Sequence, residues 1–238
     1  VTSKERIMGD GIQKRAGLPK TLSGKAALDN LRAAANHQKT YANMTQEDLV
    51  LCLDVSSSML ESMDISNPKD QKLRQMINAT HDLVRASSAP ICKLGLVTYG
   101  DDAKVLCSLT DKYNIFDASV DTIKADGWTN IGLGLMKSVE MLGQSTKMRL
   151  KRIILLTDGM EACTKPPLAS EVVDRYVIPM KIVIDCVAFG EDADLDLLNS
   201  IAKKTGGTVY SASNADALKK TFLKLESGAR WLLTANNP

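Results

Sequence analysis

The chain has 238 residues, 44% hydrophobic but only 4% aromatic, which fits one large domain with an aliphatic core. Its formal net charge of +2, with no block of like charge, argues against a nucleic-acid face, and no apolar run of about 18 residues offers a membrane span. Five cysteines (Cys52, Cys92, Cys107, Cys163 and Cys186) form no CxxC pair and no apolar segment follows the N-terminal charges, so reduced, mostly buried thiols and a cytoplasmic location are expected.

Residues 1–47 stand apart from the rest. They carry eight Lys/Arg against four acids, and residues 25–42 are rich in helix formers, with Leu28, Leu31 and Ala35 on one side. A basic N-terminal arm with one helix is expected over 1–47, and a single domain over 48–238. His37 on the arm and His81 on the first helix of the body are expected to be exposed or capping.

From residue 48, short apolar runs alternate with amphipathic patterns. Residues 48–55 (DLVLCLDV) are almost continuously apolar, as in a strand buried on both faces. Residues 70–87 place Leu73, Met76, Ile77, Leu83 and Val84 on one helical face. Strands at 92–99 and 103–109 are joined by Gly100-Asp101-Asp102, too short a link for a parallel crossover, so they form an antiparallel hairpin. Helices follow at 113–125 and 130–142, then a strand at 152–157, a helix at 168–177 and a strand at 181–189. A helix at 194–204 stops at Gly206-Gly207, a short strand covers 208–211, and a helix covers 214–233. This order predicts an α/β fold: a doubly wound, mainly parallel six-stranded sheet with one antiparallel edge strand and helices on both faces. Ligands of such sheets sit beyond the carboxyl ends of the strands.

Oxygen donors gather at those ends. The first strand runs into Asp54-Val55-Ser56-Ser57-Ser58-Met59, Thr129 lies in the loop Gly127-Trp128-Thr129-Asn130, and Asp158 ends the fourth strand. Carboxylate and hydroxyl oxygens suit Mg²⁺ or Mn²⁺ and disfavour zinc or copper.

The run Asp54-x-Ser56-x-Ser58, then Gly127-x-Thr129 before Ile131-Gly132-x-Gly134-Leu135, then Leu156-Thr157-Asp158-Gly159, resembles the metal-ion-dependent adhesion site (MIDAS) of von Willebrand factor A (vWA) domains. The segment from Phe189-Gly190 to Thr205-Gly206-Gly207 is also similar to that family. The resemblance implies the Rossmann-like vWA fold over about 48–227. It implies a divalent cation, Mg²⁺ with Mn²⁺ or Ca²⁺ as alternatives, held by the hydroxyls of Ser56, Ser58 and Thr129. Asp54 and Asp158 would act directly or through water. The implied function is a non-enzymatic, cation-dependent binding module whose metal takes an Asp or Glu of a partner protein. Met59, Trp128, Asn130, Met160 and Glu161 lie beside these positions and are candidate partner contacts, although Trp128 could instead pack under its own loop.

Other readings fit less well. Gly24-Lys25 is followed by Ala26, so no phosphate loop forms; Gly132-x-Gly134 neither follows a strand nor has a third glycine. A phosphotransferase with a nucleophilic Asp54 needs a second acid two residues on or a nearby lysine; Ser56 stands at the first place, and Lys69 is the first lysine after it. A Mg²⁺-dependent hydrolase or phosphotransferase at this edge is one alternative function. Self-assembly, with Glu5, Asp10 or Asp29 of the arm supplying the carboxylate to another copy, is the other.

Overall fold

The computed structural model describes residues 46–62, 70–87, 92–125, 127–145, 149–162 and 166–234, with side chains as far as residue 225. The expected arm helix, Glu5, Asp10, Asp29, His37, Lys69 and Cys163 lie outside these residues. The described elements are β1 (Glu47–Asp54), a 3-10 turn (Ser57–Leu60), α1 (Lys72–Ala86), β2 (Cys92–Tyr99), β3 (Ala103–Thr110), α2 (Tyr113–Val120), α3 (Ile131–Gly143), β4 (Leu150–Thr157), α4 (Ala169–Val172), β5 (Val183–Phe189), α5 (Leu195–Thr205), β6 (Val209–Ala212) and α6 (Ala215–Thr234). Among them no helix is long and apolar enough to cross a membrane.

The sheet order is β3-β2-β1-β4-β5-β6, parallel throughout except for the antiparallel β2–β3 pair at the edge. This is the expected fold. Alternation along β1 explains the layering. Leu49, Leu51 and Leu53 face a core shared with α1, α2 and α6, through Met76, Phe116 and Phe222. Val50 and Cys52 face the opposite core, built with Ile131 and Leu135 of α3, Val172 of α4 and Leu198 of α5. Aliphatic side chains fill both layers, as the scarcity of aromatics requires. The thiols of Cys52 and Cys186 lie fully buried in the second layer, unpaired.

Several boundaries differ from the sequence expectation for identifiable reasons. The helix expected over 168–177 is α-helical only to Val172; it continues as a π-helical turn, Val173–Val177, closed by Ile178 N–H donating to Val173 O at 3.1 Å. The strand expected from 181 starts at Val183, because Lys181 takes a left-handed φ of 54° in the preceding turn. At α5, Asp194 caps the first turn by accepting Leu197 N–H at 2.9 Å, and Gly206 ends it at φ 78°. His81 is neither exposed nor a cap. Its ring is clamped between Asp117 and Asp121, with nitrogen–oxygen distances of 2.6 and 3.2 Å, and so joins α1 to the end of α2.

At the amino ends of the strands, Arg152 is buried between Asp185 (2.6 Å) and Glu47 (3.3 Å) and donates to Leu225 O of α6 at 2.9 Å. Asp185 also accepts Thr208 N–H at 2.8 Å. Burial opposes the Arg152 charge, but Asp185 and Glu47 outweigh it and hold the guanidinium above its ordinary value. Arg149 makes a second such contact with Asp48.

Candidate functional site

Chain direction reverses across the sheet between β1 and β4: the chain winds from β1 towards β2 and β3, then resumes at β4 on the other flank. The carboxyl ends of β1 and β4 therefore leave a crevice between diverging loops. Asp54 is the last residue of β1, Thr157 is the last of β4, and Asp158 follows it directly.

Within this crevice side-chain oxygens of Asp54, Ser56, Ser58, Thr157 and Asp158 are linked by hydrogen bonds. Asp54 is fully buried; its Oδ1 accepts Ser56 N–H at 2.8 Å and its Oδ2 accepts the Thr157 hydroxyl at 2.7 Å. The Ser56 and Ser58 hydroxyls lie 3.0 Å apart. Ser58 Oγ donates to Asp158 Oδ1 at 2.8 Å. Burial pushes the Asp54 carboxyl up to about 6, against the pull of the hydrogen bonds from Ser56 and Thr157.

Backbone bonds bring the Thr129 loop to the same place. Ser57 N–H donates to Gly127 O at 2.9 Å, and Ala162 N–H donates to Thr129 O at 3.1 Å. Gly127 has φ 65°, and the Asp101 carboxylate occupies the side where a β-carbon would stand. Asp101 also accepts Trp128 N–H at 2.8 Å, fixing the loop from the β2–β3 link. Thr129 itself is buried at the mouth of α3.

The side chains read as partner contacts divide. Trp128 and Met160 stand in solvent, 72% and 63% exposed, on the loops that carry Thr129 and Asp158. Met59 is instead fully buried, because the 3-10 turn after Ser56 rotates it into the core. Asn130 is buried and caps α3, accepting Leu133 N–H at 3.0 Å. Glu161 is half-buried and accepts the backbone N–H groups of Gly132 (3.1 Å) and Ala169 (3.0 Å), tying two loops together; burial pushes its carboxyl up. These three hold the site's frame rather than face outwards. A cleft of about 400 Å³ opens beside Trp128, lined by Asp101, Leu133 and Pro166 among others.

Lys72 was not anticipated. It begins α1, is 6% exposed, and its Nζ lies 2.8 Å from Asp158 Oδ2 and 3.4 Å from Glu61 Oε2. Burial works against the ammonium, but Asp158 and Glu61 outweigh it and hold its pKa above the ordinary lysine value. The lysine absent from the vicinity of Asp54 in sequence thus arrives from the next helix. Among the described residues no group of three or more His, Cys, Asp or Glu side chains is placed to hold a metal ion; the crevice itself carries two carboxylates, Asp54 and Asp158, beside serine hydroxyls.

A sequence profile of the von Willebrand factor type A domain matches residues 48–224. A UPF0353 protein of Mycolicibacterium vanbaalenii is 24% identical over 202 residues, which is 75% of this chain and 59% of that protein. The chain thus spans about six-tenths of the length of that curated relative. The solved structure titled von Willebrand factor type A from Catenulispora acidiphila superposes with a TM-score of 0.68 at 21% identity, over 78% of this chain and 43% of that one. The PilB minor pilin of Streptococcus sanguinis superposes with a TM-score of 0.66 at 17% identity, over 82% of this chain and 64% of the pilin.

Proposed function

The chain belongs to the von Willebrand factor type A domain family, and on that premise we propose that it is a binding module that uses a divalent cation to hold an acidic residue of a partner protein. The observation that carries this reading is the oxygen cluster between β1 and β4. The Ser56 and Ser58 hydroxyls lie 3.0 Å apart and Ser58 Oγ lies 2.8 Å from Asp158 Oδ1, so these oxygens are close enough to be shared by one small cation. The residues fit such an ion: Ser56, Ser58 and Thr129 would offer hydroxyl oxygens, and Asp54 and Asp158 carboxylates, directly or through water. All are hard donors, so Mg²⁺ is favoured, with Mn²⁺ and Ca²⁺ accepted by the same oxygens. A bound ion supplies an electrophilic position for an anionic oxygen.

The chain's own residues do the rest. With these five residues holding the ion directly or through water, a partner's Asp or Glu would supply the remaining anionic oxygen. Trp128 and Met160, exposed beside the crevice, offer apolar contact around it. Catalysis is the weaker reading. Both oxygens of Asp54 accept protein hydrogen bonds, and Lys72 is tied between two carboxylates instead of being free to take a proton.

The test is capture of a partner from native lysate in Mg²⁺ and in EDTA, beside Asp54→Ala. A protein retained only by the unmodified chain in Mg²⁺ is the expected result. Retention in every lane would move recognition to another face.

A further inference from the structure

Lys72 occupies an unfavourable place for a cation. It is the first residue of a 15-residue helix with no acid in its first turn, where the helix dipole repels positive charge. Its side chain is nevertheless enclosed. Its own N–H donates to Glu61 O at 3.0 Å, and Gly190, at φ 97°, borders its Cε and Nζ. Within that slot Nζ takes Asp158 Oδ2 while Ser58 takes Asp158 Oδ1. The two faces of one carboxylate thus serve an ammonium and the hydroxyl cluster.

Charge decides what this does. Asp54 and Asp158 would balance a divalent ion; with Lys72 among them they fall one negative charge short. Glu61 is 66% exposed and screened by water, so it restores little of the difference.

Resting on the cation-binding reading above, we propose that Lys72 is a fixed cation of this site that leaves it one negative charge short, so that the metal and the partner's carboxylate bind as a coupled pair. The metal alone binds weakly, and an anionic oxygen completes the balance. By reciprocity, each ligand strengthens the other by the same factor. Lys72 is a positioning and charge-setting residue, not a ligand.

The experiment is calorimetric titration of the full chain with Mg²⁺, with and without excess acetate as the carboxylate probe. Lys72→Gln is expected to bind Mg²⁺ roughly tenfold more tightly than the unmodified chain, and Lys72→Arg to stay within about threefold of it. Acetate should strengthen Mg²⁺ binding in the unmodified chain and much less in Lys72→Gln. A folded Lys72→Gln that binds Mg²⁺ equally or more weakly overturns the proposal. Should that variant fail to fold, Lys72→Met answers instead: it removes the charge and keeps the apolar stem, so Mg²⁺ should again bind roughly tenfold more tightly, and equal or weaker binding overturns the proposal. Saturable binding that Asp54→Ala abolishes, with no gain in Lys72→Gln, sinks the role of Lys72 only. Absence of saturable binding in the unmodified chain and in the folded Lys72 variants sinks the cation-binding reading as well.

Discussion

Asp54 is a residue whose burial opposes its charge. Its ordinary value is 3.8, and in the fold it rises to about 6. Between these values the unfolded chain releases the proton while the folded chain keeps it, so stability falls as pH rises through the window and the penalty is complete above it. Asn is a close replacement, since its oxygen can accept Ser56 N–H and its amide can face Thr157. In EDTA near neutral pH, Asp54→Asn should therefore melt higher than the unmodified chain, and the gap should close as pH falls towards 4. Mg²⁺ should raise the melting temperature of the unmodified chain only. Melting curves across pH in EDTA and in Mg²⁺ check this; a lower melting Asp54→Asn in neutral EDTA would refute it.

At the scale of elements, the site depends on how closely α3 approaches the α4 loop. A β-carbon on Gly132 would stand 1.8 Å from Pro167 O, a backbone atom that cannot swing aside. Gly132→Ala should cost at least about 2 kcal/mol by denaturant melt, and weaken Mg²⁺ binding, because displaced α3 carries Thr129 and the Gly132–Glu161 bond with it. What the sequence disclosed follows the same division. Asp54, Ser56 and Ser58 were legible because one turn carries all three, and Asp158 because a buried strand ends there. Met59 was misread because a 3-10 turn reverses the alternation of the strand before it. Asn130 was misread because capping and contact residues share the same chemistry. Lys72 left no local signal: its contact with Asp158 spans 86 positions, and only the packing of α1 against the end of β4 creates it.

Across the whole molecule, the crevice and the Arg152 cluster occupy opposite ends of the sheet, about 20 Å apart along β1. Arg152 joins β1, β4, β5 and α6. Arg152→Met would remove the guanidinium from between two buried carboxylates, Asp185 and Glu47, costing about 3–5 kcal/mol. Mg²⁺ affinity of the folded fraction should change little, since separated sites act nearly independently. Denaturant melts and calorimetry together check both halves; a large loss of Mg²⁺ affinity in folded Arg152→Met would mean that the two ends are coupled.

The buried thiols give the sheet a clock. Burial pushes the Cys52 thiol up to about 12 and raises Cys186 further, so neither reacts with an alkylating reagent until the layers around the sheet part. The rate of labelling at these two positions then counts openings of the sheet at β1, which carries the crevice, and at β5, two strands away. Cation binding to the closed form should lengthen the interval between openings by the factor 1 + [Mg²⁺]/Kd, which keeps rising after the site is nearly full. Mass-resolved alkylation of Cys52 and Cys186 with increasing Mg²⁺ would time it without any knowledge of the partner.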